Sequence, residues 1–190
     1  MFEVLAIIVF VYGVVFGSYF NVVIGRVPKG ESLLNPPSTC PYCGNRLRWY
    51  HNIPVISYMF LKGRCGFCAA PISLVYPFVE LLTGALAVGG FYAGYVWGGQ
   101  DVVRSLALSW LVVAALPICV VDFKHYLIPD GVVFPGMGIG LLLSFFSESL
   151  PFTTALAGGA LSAGGLYLFG ALSSRVLKKE ALGFGDVKLL

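Results

Sequence analysis

Apolar residues along the chain fall into five runs that are almost free of charge. The runs are Val4 to Ile24, Pro77 to Trp97, Val102 to Val121, Gly131 to Phe146 and Phe152 to Leu172. A bilayer core about 30 Å thick needs roughly 20 apolar residues in a helix, and most of these runs have that length. None alternates between apolar and polar residues as a barrel strand does. The pattern predicts an all-α polytopic membrane protein, a helical bundle of about five transmembrane helices.

Composition agrees with this interpretation. The chain is 58% hydrophobic and only 11% charged, whereas soluble domains carry about 25% charged residues. Too little polar surface is available for a protein surrounded by water. A soluble enzyme, a disordered chain and a coiled coil are therefore excluded.

The positions of the basic residues predict the topology. With Met1 outside and five alternating spans, every Lys and Arg except Arg104 lies inside, as cytoplasmic loops prefer. This orientation divides the chain into three units: a first transmembrane helix (1–24), a cytoplasmic loop domain (25–76) and a membrane domain (77–190). The lipid bilayer is an expected partner, and no nucleic acid is expected.

The loop domain carries two pairs of cysteines in a C-x2-C-x21-C-x2-C pattern. The pairs are Cys40 with Cys43 and Cys65 with Cys68. Two such turns can close a tetrahedron of thiolates around one Zn²⁺ ion, and four protein ligands make the site structural. Gly44 and Gly66, which follow Cys43 and Cys65, are expected to supply the positive φ angles of these turns. Two disulfides, a redox role and an iron-sulfur site are the alternatives, and a reducing cytoplasm disfavours the disulfides.

Two aspartates stand out at the expected cytoplasmic face. Asp122 ends the third span, and Asp186 lies in the sequence Gly183-Phe184-Gly185-Asp186. Two close carboxylates share a proton, so one can act as a general base on water while the other donates a proton. Helix capping or pairing with Lys124 and Lys188 is the alternative that the spacing leaves open.

Other residues are predicted to have structural roles. Asp130 is expected to cap the fourth span, and Glu80 is expected in the first turn of the second span in a cap-like or ion-pair role. Small-residue clusters are expected to mark helix contacts. They comprise Gly136, Gly138 and Gly140 in the fourth span and Ala157 to Ala160 with Ala163 to Gly165 in the fifth.

Several ordered motifs resemble those of the type IV prepilin peptidases, which are membrane aspartic proteases with a G-x-G-D motif. The resemblance covers nearly the whole chain. The segments that carry it are Phe16 to Val23, Arg26 to Pro28, Pro36 to Cys43, Asn52 to Tyr58, Gly63 to Cys65, Tyr76 to Glu80, Asp122 to Asp130 and Gly183 to Lys188.

This resemblance implies an activity and a location. It implies that Asp122 and Asp186 are the catalytic pair and that the protein cleaves the basic leader of prepilins or type II secretion pseudopilins at the cytoplasmic face of the bacterial inner membrane. It further implies N-methylation of the new N-terminus with S-adenosylmethionine, at a site the sequence does not reveal, and a zinc-binding tetracysteine domain. Family members usually continue past G-x-G-D into a further helix, so we expect a C-terminally truncated form. The oligomeric state is not predicted.

Three other functions are compatible with parts of this pattern. They are a peptidase without methyltransferase activity, a non-catalytic zinc-containing scaffold of secretion or pilus machinery, and a transporter. A transporter would place its acidic groups near the membrane midplane rather than at one face.

Overall fold

The computed structural model describes residues 2–147 and 151–177. Six α-helices follow one another: α1 (Phe2–Arg26), α2 (Ile56–Phe60), α3 (Val75–Trp97), α4 (Val102–His125), α5 (Asp130–Ser144) and α6 (Phe152–Leu177). Short 3₁₀ turns occupy Val27–Lys29 and Trp49–Asn52. The described residues contain no β-strand, only two isolated β-bridges in the loop domain. The all-α fold expected from the sequence is therefore confirmed.

Four segments in the described part of the chain are long and apolar enough to cross a membrane. They are Phe2–Lys29, Val75–Trp97, Val102–His125 and Phe152–Phe169. The remaining expected span is the shorter apolar helix Asp130–Ser144. Its 15 residues extend about 22 Å at 1.5 Å per residue, less than the thickness of a bilayer core.

Helix α4 begins and ends through local backbone chemistry. The Asp101 carboxylate accepts hydrogen bonds from the N–H groups of Val103 (2.8 Å) and Arg104 (3.2 Å), a side-chain N-cap that the sequence analysis missed. At the other end, Tyr126 adopts φ 54° and ψ 39°, and its N–H donates to the carbonyl of Asp122. This left-handed residue stops the helix one turn after Asp122.

Helices α1, α3 and α4 form the tightly packed part of the bundle. Glycines allow the close approach: a Cβ atom on Gly17 would lie 2.7 Å from the Cα atom of Glu80, and one on Gly94 would lie 2.6 Å from that of Ser105. The buried cluster between these helices and α5 contains Val9, Phe20, Val23, Ala87, Phe91, Trp110, Val113, Ala114 and Val132. Backbones that approach this closely gain dispersion contacts where lipid supplies no hydrophobic drive.

At the glycines of the two small-residue clusters, most of the expected helix contacts are absent among the described residues. Only Gly136 approaches another helix, with a Cβ position 2.8 Å from Nε1 of Trp110. No atom lies within 4 Å of the Cβ positions of Gly138, Gly140, Gly158, Gly159, Gly164 and Gly165. The close backbone contacts lie instead at glycines of α1 and α3, such as Gly17 and Gly94.

Candidate functional site

The first cysteine pair lies on a short hairpin. The N–H of Cys40 donates to the carbonyl of Asn45 (3.0 Å), and the N–H of Gly44 donates back to the carbonyl of Cys40 (2.9 Å). An antiparallel bridge between Thr39 and Arg46 closes the hairpin. The turn between them directs both sulfur atoms to one side.

The second pair repeats this arrangement. The N–H of Cys65 donates to the carbonyl of Ala70 (2.8 Å), and the N–H of Ala69 donates to the carbonyl of Cys65 (2.9 Å). An antiparallel bridge joins Arg64 to Pro71. The chain thus builds the same two-thiol turn twice, from sequences that share little beyond the cysteines.

The fold brings the four sulfur atoms together. The Sγ atoms of Cys40, Cys43, Cys65 and Cys68 all lie within 4.8 Å of one another. Those of Cys40 and Cys68 are 3.9 Å apart, far longer than a disulfide bond of about 2.05 Å. Ligands about 2.3 Å from a tetrahedral zinc ion would be separated by about 3.8 Å. The cluster therefore fits one four-coordinate metal ion.

Hydrogen bonding and desolvation give the thiols of Cys40 and Cys68 different pKa values. Backbone N–H groups of Cys43 and Tyr42 lower the pKa of the Cys40 thiol to about 6. For Cys68 the N–H of Ala70 lowers the pKa, but desolvation and the neighbouring thiols raise it by more, to about 11. The two shifts have opposite directions, so Cys40 loses its proton more readily than Cys68, and metal binding would release the proton from Cys68.

The turns obtain their positive φ angles differently from the sequence-based expectation. Gly44 adopts φ 70° as expected, but Gly66 is not among the positive-φ glycines, and the matching position is Ala69 with φ 58°. The left-handed residue follows the second cysteine of each pair, not the first. Gly66 instead leaves room for a neighbour, since its Cβ would lie 3.3 Å from Nε2 of His51.

Of the two expected catalytic aspartates, the structure describes one. Asp122 lies in the last turn of α4 with an exposed side chain. Asp186 and its Gly183–Asp186 motif lie outside the described residues. The pairing of these two carboxylates therefore stays a prediction.

Asp130 does not occupy the N-cap position of α5. The N-cap position is Pro129, which has no side-chain hydrogen-bond acceptor, and Asp130 is the first residue of the helix. The start of α5 is held by α1 instead, because the Tyr19 hydroxyl donates to the carbonyl of Gly131 (3.0 Å). The short α4–α5 connection, which follows the helix turn of Asp122, is thereby fixed against the bundle.

Glu80 also differs from its expected role. It lies in the second turn of α3, where it is only 8% exposed. Its Oε2 atom accepts a hydrogen bond from the N–H of Val55 in the loop domain (2.7 Å). The carboxylate therefore neither caps its own helix nor stands in the first turn, but connects the membrane helix to the loop.

Comparison with known proteins covers both halves of the chain. Residues 11–93 match the bacterial peptidase A24 N-terminal domain, and residues 105–190 match the type IV leader peptidase family. Proteins named prepilin leader peptidase/N-methyltransferase are similar over most of the chain. The protein from Klebsiella pneumoniae is 41% identical over 95% of this chain and 80% of its own length. The protein from Dichelobacter nodosus is 34% identical over 94% of this chain and 70% of its own length.

The chain belongs to the type IV leader peptidase family. The predicted resemblance is thus confirmed. The chain spans about half (54%) of the length of the Myxococcus xanthus relative, to which it is 39% identical. No solved structure shows a significant match.

The two family matches cover different parts of the candidate site. The N-terminal domain match includes most of α1, all four cysteines and most of α3, whereas the peptidase match begins within α4 and contains both Asp122 and Asp186. The cysteine turns and the acidic positions thus belong to separate matched regions of the chain.

Proposed function

We propose that this protein cleaves the basic leader peptide of type IV prepilins or type II secretion pseudopilins and then methylates the new N-terminal amine. The observation that carries this proposal is the match of residues 105–190, with Asp122 and Asp186 inside it, to the type IV leader peptidase family. The names of the relatives, which combine leader peptidase with N-methyltransferase, support the second activity.

The proposed cleavage uses Asp122 and Asp186 as an aspartic dyad. One carboxylate removes a proton from water as it attacks the scissile carbonyl, while the protonated partner donates a hydrogen bond to the carbonyl oxygen and then a proton to the leaving amine. The exposed position of Asp122 in the last turn of α4 is accessible to a peptide arriving from the aqueous side.

The proposed orientation puts the N-terminus outside and both sites in the cytoplasm. Alternating α1, α3 and α4 across a bilayer brings the end of α1, the start of α3 and the end of α4 to the same side. The loop domain and Asp122 then share the face where basic residues are concentrated, as the positive-inside rule requires. We place the protein in the bacterial inner membrane.

The proposed metal is a structural Zn²⁺ held by Cys40, Cys43, Cys65 and Cys68. Four thiolates suit zinc and leave no open position for a substrate. When bound, the ion would fix the two hairpins relative to each other. S-adenosylmethionine would supply the methyl group, and we propose that the loop domain 25–76 contributes to its site.

The test is cleavage of a prepilin by the protein in liposomes. We expect Asp122→Asn and Asp186→Asn to lower the cleavage rate by about a thousandfold, the scale of general acid–base catalysis. Asp101→Asn is the matched control: it lies at the other end of α4, and asparagine caps a helix as well as aspartate does. Cleavage by Asp186→Asn at the parental rate would contradict the dyad.

A further inference from the structure

The loop domain contains one strongly strained backbone position. Val55 has φ 60° and ψ −51°, and the N–H of Ile56 donates to the carbonyl of Pro54 across it. This geometry is the γ-turn with positive φ, which is rare and strained. A β-branched side chain makes the conformation still less favourable. Some contact outside the turn must therefore hold it.

The Glu80 carboxylate makes that contact. It accepts a hydrogen bond from the Val55 N–H at 2.7 Å. The backbone at Glu80 is itself held closely by α1, as the Gly17 contact shows. A buried acceptor on α3, which packs closely against α1, thus binds a single N–H of the loop.

The strained turn connects directly to the cysteine hairpins. Val55 precedes α2, and the carbonyl of Val55 accepts from the N–H of Met59 in that helix. Just beyond α2, the Leu61 side chain lies 3.3 Å from the Cβ position of Gly66, between the cysteines of the second hairpin. The position of Val55 therefore sets where α2 and the second hairpin lie relative to α1 and α3.

We propose that Glu80 is a positioning residue that holds the Val55 turn and thereby orients the tetracysteine unit on the membrane bundle. The methyl-transfer consequence drawn below rests on the proposed function, whereas the conformational consequence does not. Replacing the carboxylate releases the turn without removing any cysteine, so metal binding persists while the loop loses its fixed orientation.

Hydrogen exchange at the Val55 amide tests the contact in the full chain. We expect exchange to rise about threefold in Glu80→Gln, which keeps an uncharged acceptor, and about tenfold or more in Glu80→Leu, which has none. Thr83→Val is the matched control, since Thr83 is buried one turn further along α3 and its hydroxyl bonds within that helix to Val79. Unchanged exchange in Glu80→Gln, or an equal rise in Thr83→Val, would overturn the proposal.

A second variant separates positioning from simple helix packing. Glycine adopts positive φ without strain, so Val55→Gly should reduce the effect of Glu80→Leu on methyl transfer at least threefold. If Glu80 only packs α1 against α3, Val55→Gly will leave that effect unchanged, which would also overturn the proposal.

The activities give a readout that distinguishes this proposal from the proposed function. In Glu80→Leu we expect methyl transfer to fall about tenfold relative to leader cleavage, with metal content retained. An equal loss of both activities would contradict the positioning role. A parental protein without either activity would instead contradict the proposed function, and the exchange result at Val55 would still decide the role of Glu80.

Discussion

The two cysteine hairpins have the same backbone hydrogen bonds but different residues at their strained positions. Gly44 and Ala69 each follow the second cysteine of a pair, donate to the carbonyl of the first and have positive φ. Only the first hairpin uses the residue that tolerates this conformation without cost. The two hairpins therefore share one backbone geometry, but the second has the less favourable residue at its positive-φ position.

This difference indicates what holds the second hairpin. An alanine at φ 58° is unfavourable by itself, so contacts beyond the turn must compensate. The second hairpin has such a contact, because the Phe67 ring packs edge-on against His51 with ring centroids 5.4 Å apart. Gly44 in the first hairpin has no atom within 4 Å of its Cβ position among the described residues.

The largest effect should come from removing one thiolate from either hairpin. Cys40→Ser and Cys65→Ser replace an anionic ligand with a neutral hydroxyl, and we expect metal content, measured by atomic emission, to fall below about a tenth of the parental value. The exposed Cys119 on α4 provides a control, since Cys119→Ser should retain the metal. Retained stoichiometry in either hairpin variant would argue against a shared site.

A smaller loss of metal binding is expected when the backbone of the first hairpin is strained by Gly44→Ala. In Gly44→Ala the added methyl group meets open space, so the backbone conformation alone should cost about 1 kcal/mol. Because folding of the unit and metal binding are coupled, this cost should weaken metal affinity about fivefold in a chelator competition. Gly30→Ala is the control: Gly30 has φ 67° and equally open surroundings but lies outside the hairpins. An equal loss of metal affinity in Gly30→Ala would show that the effect of Gly44→Ala is not specific to the hairpin.

In the second hairpin we expect a substitution to increase metal affinity. Ala69→Gly relieves the left-handed strain on an exposed residue, and affinity should increase about threefold because this relief outweighs the entropy that glycine adds to the unfolded chain. Ala70→Gly offers the matched comparison, since Ala70 has no positive φ and its change should weaken binding slightly. Weaker binding by Ala69→Gly would show that strain is not what separates the hairpins.

The smallest effect should come from Gly66→Ala. This position has no positive φ, and its new methyl group would meet side-chain atoms of His51 and Leu61 at 3.3 Å. These atoms need to move by only a few tenths of an ångström, so affinity should fall less than about threefold. A loss of metal affinity as large as that of Gly44→Ala would mean that side-chain contacts, and not the backbone φ angle, determine the cost of substitution in both turns.

Sequence reasoning worked best where the physical signal was local. The C-x2-C spacing predicts a two-thiol turn because the cysteines are neighbours along the chain, and the four sulfur atoms meet as expected. It failed at Gly66 and Ala69 because composition suggested glycine wherever a positive φ was needed. Alanine at such a position carries no sequence signal.

Packing between helices was predicted less well, for a related reason. The glycine-rich runs of α5 and α6 suggested contacts, but most of these glycines face no described neighbour, while Gly17 and Gly94 pack closely. A small residue permits close approach without specifying which face meets which helix. The contact of Glu80 with Val55 is similar, since 25 positions separate the two along the chain.

The sequence by itself determined that this chain is a helical membrane protein of the leader peptidase family, with paired cysteines and two prominent aspartates. These features depend on hydropathy, spacing and motif order, which are properties of the chain alone. Only the tertiary structure decided which glycines carry the packing, that Glu80 reaches the loop, and that Ala69 rather than Gly66 is the strained position. Those outcomes depend on distances between segments remote in sequence, and such distances are set by how whole helices and turns pack.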